Sequence, residues 1–291
     1  MKRCLAFLLA LGSWGMAQPL LLPEAPSQIH SGLLSPFGQP PISEGYRVGL
    51  NFSIINEQSY SEGDWGKIGI DAESWVLDLT ARAATPVGEL GVSWPLKYVW
   101  GGVLDAPLDV FHSAVELNRI VNPERGRSLA FYELASGEQA FYDQPALGLG
   151  DPVLSWSYPV SNFWVKGTLG LPLGTPEQFI SARAWRSSVQ VGYQQEGWGL
   201  AGQVGWVLGG SNLAPLKEQT QYGIKGWWQV PFEVPVRLES EWRTSPLAVG
   251  GTFAGSTWTL RMVFAGVGFQ EDLTPALPDV SLSTAQEWSC F

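Results

Sequence analysis

The stretch YRVGLNFSI, residues 46–54, alternates between apolar side chains and polar or small ones. Its even-numbered positions hold Tyr, Val, Leu, Phe and Ile, and its odd-numbered positions hold Arg, Gly, Asn and Ser. Successive side chains of a β-strand point to opposite faces, so a period of two predicts a strand with one apolar face.

The same alternation recurs through the rest of the chain. It is visible in residues 75–82, 90–100, 154–160, 188–194, 198–208, 222–230, 236–243 and 257–264. Many of these segments have the length of about 10 residues that a tilted strand needs to cross a bilayer. We therefore predict an all-β fold, an antiparallel up-and-down transmembrane β-barrel of about 12 strands, since bacterial barrels have even strand numbers.

The connections between these segments fall into two classes. Short turns are predicted at residues 85–89, 159–162, 196–197 and 231–235. Longer connections are predicted at residues 57–66, 101–128, 172–181, 209–220 and 244–256. Short turns at one end and long loops at the other are typical of outer-membrane barrels. The sequence does not decide whether the hairpin around residues 135–138 belongs to the barrel wall.

The composition separates this barrel from a soluble one. A soluble sandwich or lipocalin-like barrel would alternate too, but its outer face would be strongly charged. Here only 15% of the residues are charged, against roughly 25% in an average soluble domain. Eight aromatic residues near strand ends are expected at the interface with outer-membrane lipid: Tyr46, Trp75, Trp100, Tyr158, Trp198, Trp228, Trp242 and Trp258.

The N-terminus reads as a secretory signal. Lys2 and Arg3 precede an apolar run at residues 4–12, and small residues precede a cut before Gln18. We predict a signal peptide at 1–17, a Pro- and Ser-rich leader at 18–44 and a β-barrel domain at 45–291. Export places the barrel in the outer membrane of a diderm bacterium. The terminal Phe291 is typical of chains inserted by the barrel-assembly machinery.

Charge and cysteine content exclude two further classes of protein. The formal charge of −10 includes two cations and no acid within the signal peptide, so the mature chain carries −12. An acidic chain does not bind nucleic acid, whose phosphates require clustered Lys and Arg. Only Cys290 remains after cleavage, so the exported chain makes no internal disulfide.

Residues 104–119 predict an amphipathic helix inside the longest loop, at the barrel mouth or at the membrane interface. Asp109, His112 and Glu116 share its polar face and could meet one divalent ion. Zinc sites normally need more nitrogen or sulfur ligands, which favours a solvated face instead. We expect neither a metal nor a cofactor.

Catalysis would have to depend on His112, the only histidine of the barrel domain. No Gly-x-Ser-x-Gly segment is present, and Ser113 would point about a hundred degrees away on a helix. We therefore expect no enzyme, with an outer-membrane lipid-modifying enzyme as the alternative.

The polar face of the strands should line the lumen and set any selectivity. The charged residues expected there are Arg47, Asp78, Arg82, Lys97, Arg237, Glu239, Glu241, Arg243 and Arg261. At about 12 strands, side chains partly fill a lumen. The expected function is a narrow channel or transporter for small or apolar solutes, or a structural envelope barrel. A soluble periplasmic β-barrel binding an apolar ligand is a further alternative.

Three motifs carry a family resemblance: LDAPLDVFH at 104–112, LGLGDPVLSWSYPV at 147–160 and GTLGLPLGTPE at 167–177. Together they resemble an uncharacterised bacterial envelope family with a Phe-His pair after an acidic helix start. The resemblance implies an outer-membrane β-barrel-like fold and assigns no activity.

Overall fold

A computed structural model describes residues 41–64, 66–103, 129–209, 220–230, 236–244, 248–249, 252–253, 256–264, 267–272 and 279–290. These residues form seventeen strands and one 3-10 turn, Glu177–Phe179. The strands are β1 Tyr46–Gly63, β2 Gly66–Thr85, β3 Gly88–Trp100, β4 Leu129–Leu134, β5 Gln139–Tyr142, β6 Ala146–Leu149, β7 Val153–Val160, β8 Phe163–Gly170, β9 Trp185–Gln195, β10 Trp198–Gly209, β11 Thr220–Val230, β12 Val236–Thr244, β13 Ala248–Val249, β14 Thr252–Phe253, β15 Ser256–Phe264, β16 Val267–Asp272 and β17 Asp279–Cys290.

Twelve of the strands in the described residues close into one antiparallel ring. Their order around the ring is β1, β2, β3, β7, β8, β9, β10, β11, β12, β15, β16 and β17. The first and last strands close it, since Tyr46 pairs with Cys290 on one side and with Ala83 on the other. Closure leaves no exposed edge in the ring. This confirms the predicted barrel and its strand number.

Three short strands attach to the ring at one end. The hairpin β4–β5 pairs with the first residues of β2, beyond the stretch of β2 that pairs with β3. Strand β6 pairs with β3, and after a break at residues 150–152 the chain continues as β7, which also pairs with β3. The hairpin around 135–138 therefore lies outside the ring.

The long connection predicted at residues 57–66 is wrong. Strand β1 continues to Gly63 and β2 starts at Gly66, so the two form a tight hairpin. The sequence NEQSYSEG at 56–63 is polar at nearly every position, which hides the alternation. A strand that projects beyond the bilayer needs no apolar face, so its sequence loses the period of two.

The two faces of the wall reverse the usual distribution of a soluble protein. Large apolar side chains are exposed on the outer face, including Val48, Leu79, Leu90, Val92, Leu154, Val189, Val191, Leu200, Ile224 and Leu238. Polar side chains are buried on the inner face, including Asn51, Ser53, Glu89, Lys97, Ser157, Gln190, Gln203, Gln221, Lys225, Arg237, Glu239 and Glu241. Such a wall is stable when lipid covers the outside, as in a transmembrane β-barrel.

The ends of the barrel differ. At the short-turn end, two-residue turns at 86–87, 161–162 and 196–197 connect the strands, and Gly197 takes the positive φ of +83° that such a turn requires. At the long-loop end lie the β4–β5 hairpin and residues 171–184. The predicted helix at 104–119 and the predicted signal peptide fall outside the described residues. No helix within the described residues is long and apolar enough to span a membrane.

Candidate functional site: the interior of the barrel

The buried carboxylate of Glu89 accepts several hydrogen bonds at the short-turn end. Arg82 binds Glu89 through two nitrogens, Nε to Oε1 at 2.9 Å and Nη2 to Oε2 at 2.6 Å. The backbone N–H of Ile42 donates to Glu89 Oε2 at 2.7 Å, and Ser157 Oγ donates to Oε1 at 3.3 Å. Since Ile42 is itself buried, Glu89 holds the residues before β1 against the inner wall.

A second charged cluster lies on the inner face of β11 and β12. Lys225 Nζ is 2.9 Å from Glu239 Oε2 and 3.9 Å from Glu241 Oε2, and Arg237 Nε donates to Glu239 Oε1 at 2.8 Å. These four side chains are at most 8% exposed. Two cations and two carboxylates therefore neutralise each other and occupy space in the lumen.

A polar track connects the Arg82–Glu89 pair to the neighbouring strands. Directly paired residues run from Glu89 through Ser157, Lys166 and Gln190 to Gln203, across five adjacent strands of the ring. Except for Lys166, which is half-buried, these side chains are buried. The track offers hydroxyl, ammonium and amide groups to whatever occupies the lumen.

At the long-loop end, Asp151 holds the segment 171–184 in place. Asp151 Oδ1 accepts from the backbone N–H of Gly174 at 2.9 Å and from Ser181 Oγ at 2.6 Å. Arg186 Nη2 lies 3.9 Å from Asp151 Oδ2. Asp151 stands in the break between β6 and β7, so two motifs of the sequence, GLGDP at 148–152 and LPLGTPE at 171–177, contact each other here.

Beside these polar contacts, the inside of the long-loop end holds an apolar cluster. Buried residues of the wall, of β4 and of the segment 171–184 form one cluster: Ile70, Ala72, Val99, Ala130, Tyr132, Leu134, Ile180, Ala182 and Ala184. Burial raises the pKa of the Tyr132 phenol, and Tyr142 and Glu138 raise it further, so this side chain stays neutral. The interior thus changes from a packed apolar cluster at the long-loop end to charged and amide side chains in the middle of the barrel.

A smaller apolar cluster, Trp164, Ala201 and Trp227, interrupts the polar lining near the short-turn end. Both indoles belong to the inner face, on β8 and β11. Two large aromatic rings therefore occupy the interior close to the short turns.

Seven of the nine charged residues expected in the lumen have described side chains. Arg47, Asp78, Arg82, Lys97, Arg237, Glu239 and Glu241 occupy positions of their strands that alternate with the exposed apolar positions. Asp78 accepts a hydrogen bond from Ser93 at 2.7 Å. The side chains of Arg243 and Arg261 lie outside the described part of the structure.

Among the residues that the structure describes, sequence reasoning missed five charged residues of the interior. They are Glu89, Asp151, Lys166, Arg186 and Lys225. Glu89 and Lys225 share the inward alternation of their strands, as do Lys166 and Arg186, so counting positions would have found four of them. Asp151 lies between two strands, where alternation gives no direction.

The aromatic residues expected at the interface lie at both ends of the wall. Tyr46, Tyr158, Trp198 and Trp228 are exposed near the short-turn end. Towards the long-loop end, Trp75 and the half-buried Trp100 meet edge to face at 5.6 Å, and Trp242 is half-buried. The side chain of Trp258 is not among those described.

The weak metal candidates Asp109, His112 and Glu116 fall outside the described residues. Within those described, no group of three or more His, Cys, Asp or Glu side chains could hold a metal ion.

Comparison with known proteins shows the fold of the chain. No family model matches the chain, and no curated protein matches it. An outer-membrane channel from Pseudomonas putida is similar in structure, with a TM-score of 0.52 and 13% identity over 88% of this chain and 100% of that chain. The toluene transporter TbuX from Ralstonia pickettii gives a TM-score of 0.41 and 9% identity over 86% of this chain and 90% of that chain. The first likeness shows that this chain has the fold of an outer-membrane β-barrel.

Proposed function

We propose that the protein is a narrow outer-membrane channel or transporter for small solutes of apolar character. Exposed apolar side chains around a closed ring support insertion into lipid. The similar channel from Pseudomonas putida supports the same location and class of function. The barrel-assembly machinery would insert the chain, and outer-membrane lipid would surround it.

One observation carries the proposal: the lining changes along the barrel from an apolar cluster to a charged and amide-rich zone. The cluster around Ile70, Val99 and Ile180 is packed inside the long-loop end with each of these side chains at most 2% exposed, so a solute that enters from outside must part them. An apolar solute gains free energy when it leaves water for such a surface. The zone of Lys225 and Glu239 behind it would favour onward release, because it offers no apolar contact.

A structural envelope barrel is the second candidate. The observation in its favour is the burial of the Lys225, Arg237, Glu239 and Glu241 cluster, which fills space inside the ring. A non-enzymatic role fits both candidates, and no step of either depends on His112.

The test is entry of a small apolar probe into intact host cells. N-phenylnaphthylamine fluoresces once it has crossed the lipopolysaccharide leaflet and dissolved in phospholipid. Cells that overproduce the protein should show a faster initial rise in fluorescence than cells that lack it. An unchanged rate, with the protein present and folded in the outer membrane, would leave the structural role as the surviving candidate.

A further inference from the structure

Two tryptophans pack closely against the inner wall near the short-turn end. Trp164 on β8 pairs directly with Gly192 on β9, and Trp227 on β11 pairs directly with Gly199 on β10. The rings are 2% and 8% exposed. With Ala201 between them, they extend at this level across four adjacent strands, a third of the twelve-stranded ring.

The two glycines are required by this arrangement. A Cβ built on Gly192 would overlap the Trp164 indole, and a Cβ built on Gly199 would overlap the Trp227 indole. Neither glycine has a positive φ, so the backbone does not demand glycine at these positions. What demands it is the close approach of each ring to the wall.

We infer that Trp164 and Trp227 form the constriction of the lumen, and that Gly192 and Gly199 set its width by letting the rings rest on the wall. This inference rests on the proposed channel function. Little free lumen remains beside rings that are so completely buried.

The two sets of substitutions should act in opposite directions. Trp164→Ala with Trp227→Ala removes both rings, and ionic conductance in planar bilayers should rise roughly twofold or more, as expected when a filled barrel of intermediate strand number loses bulky lumen side chains. Gly199→Ala forces the Trp227 ring off the wall into the lumen, and conductance should fall. Adding Trp227→Ala to Gly199→Ala should restore it, because the ring that narrowed the lumen is gone.

Each variant has a matched control in the same strand. Trp228 follows Trp227 in the chain but is 53% exposed on the outer face, so Trp228→Ala should leave conductance unchanged. Gly202 is the control for Gly199, since a Cβ at Gly202 meets no atom within 4 Å. A faster-migrating band before boiling identifies the variants that have folded.

Three outcomes are informative. A rise in the folded double variant, with Trp228→Ala at the level of wild type, supports the constriction even when wild type itself is silent. Equal conductance of wild type and double variant overturns the constriction and leaves the channel standing. If no folded protein conducts, the double variant included, both the constriction and the proposed channel function are overturned.

Discussion

Each end of the barrel has a buried carboxylate that binds a segment which is not part of the wall. At the short-turn end, Glu89 holds the residues around Ile42 and is paired with Arg82 at 2.6 and 2.9 Å. At the long-loop end, Asp151 holds residues 171–184 mainly through neutral donors, with Arg186 at 3.9 Å. The contacts of Glu89 are therefore mainly ionic, whereas those of Asp151 are mainly hydrogen bonds from neutral donors. Removal of the carboxylate charge should therefore affect the two ends differently.

The largest effect is expected from breaking the ionic end. Glu89→Ala leaves the Arg82 guanidinium buried without its carboxylate, beside Lys166. Loss of one partner of a buried pair costs about 4 kcal/mol of unfolding free energy. Urea unfolding of the refolded barrel, followed by the gel shift on boiling, measures it. A loss below about 1 kcal/mol would mean that the Arg82–Glu89 pair is solvated in the lumen.

The wall between the ends provides the next comparison. Val189 is 45% exposed near the middle of β9, and Val160 is 53% exposed at the last position of β7. Val189→Arg should cost about 3 kcal/mol, and Val160→Arg less than about 1 kcal/mol, because the penalty for a cation on the lipid face falls with distance from the midplane. Unfolding in phospholipid vesicles measures both. Equal costs would argue against a bilayer around this face.

The hydrogen-bonded end should tolerate loss of charge. Asp151→Asn keeps an oxygen that can accept from Gly174 and Ser181, so only about 1 kcal/mol should be lost. Asp151→Ala removes the acceptor and should cost roughly two to three times as much, because two buried donors are left without it. Protease cleavage within 171–184 gives a second readout: it should appear in Asp151→Ala and not in Asp151→Asn. Equal stability of both variants would show that charge, not acceptance, matters here.

The smallest effect belongs to an ion pair outside the ring. Lys67 Nζ is 2.9 Å from Glu133 Oε2, with side chains 40% and 58% exposed. Glu133→Gln should change the unfolding free energy by no more than about 0.5 kcal/mol. It is therefore the control for Glu89→Ala, and comparable losses in the two would remove the distinction between interior and surface charge.

The wall could be predicted from the sequence because one physical rule governs it. Lipid outside and a polar interior impose the period of two seen at residues 46–54. The even strand number was predictable because bacterial single-chain barrels have even numbers of strands. Strand β8 escaped prediction because Phe163 and Trp164 are both aromatic. Only the structure shows that Trp164 turns inward over a glycine while Phe163 faces out.

The long-loop end could not be predicted from the sequence. Asp151 bonds to residues 23 and 30 positions further along the chain, and nothing in the local pattern indicates those partners. The side chains of the hairpin β4–β5 alternate in burial like those of a wall strand, yet the hairpin pairs with the part of β2 that continues past the ring. Strand pairing at this end depends on how far each strand projects beyond the ring, which the amino-acid composition does not indicate.

The most direct test of the account is fractionation of host cells, with the membrane pellet washed in carbonate and run on gels with and without boiling. A closed barrel with a lipid-covered outer face predicts a carbonate-resistant band that migrates faster before boiling than after. A band in the soluble fraction, with the same mobility before and after boiling, would contradict it.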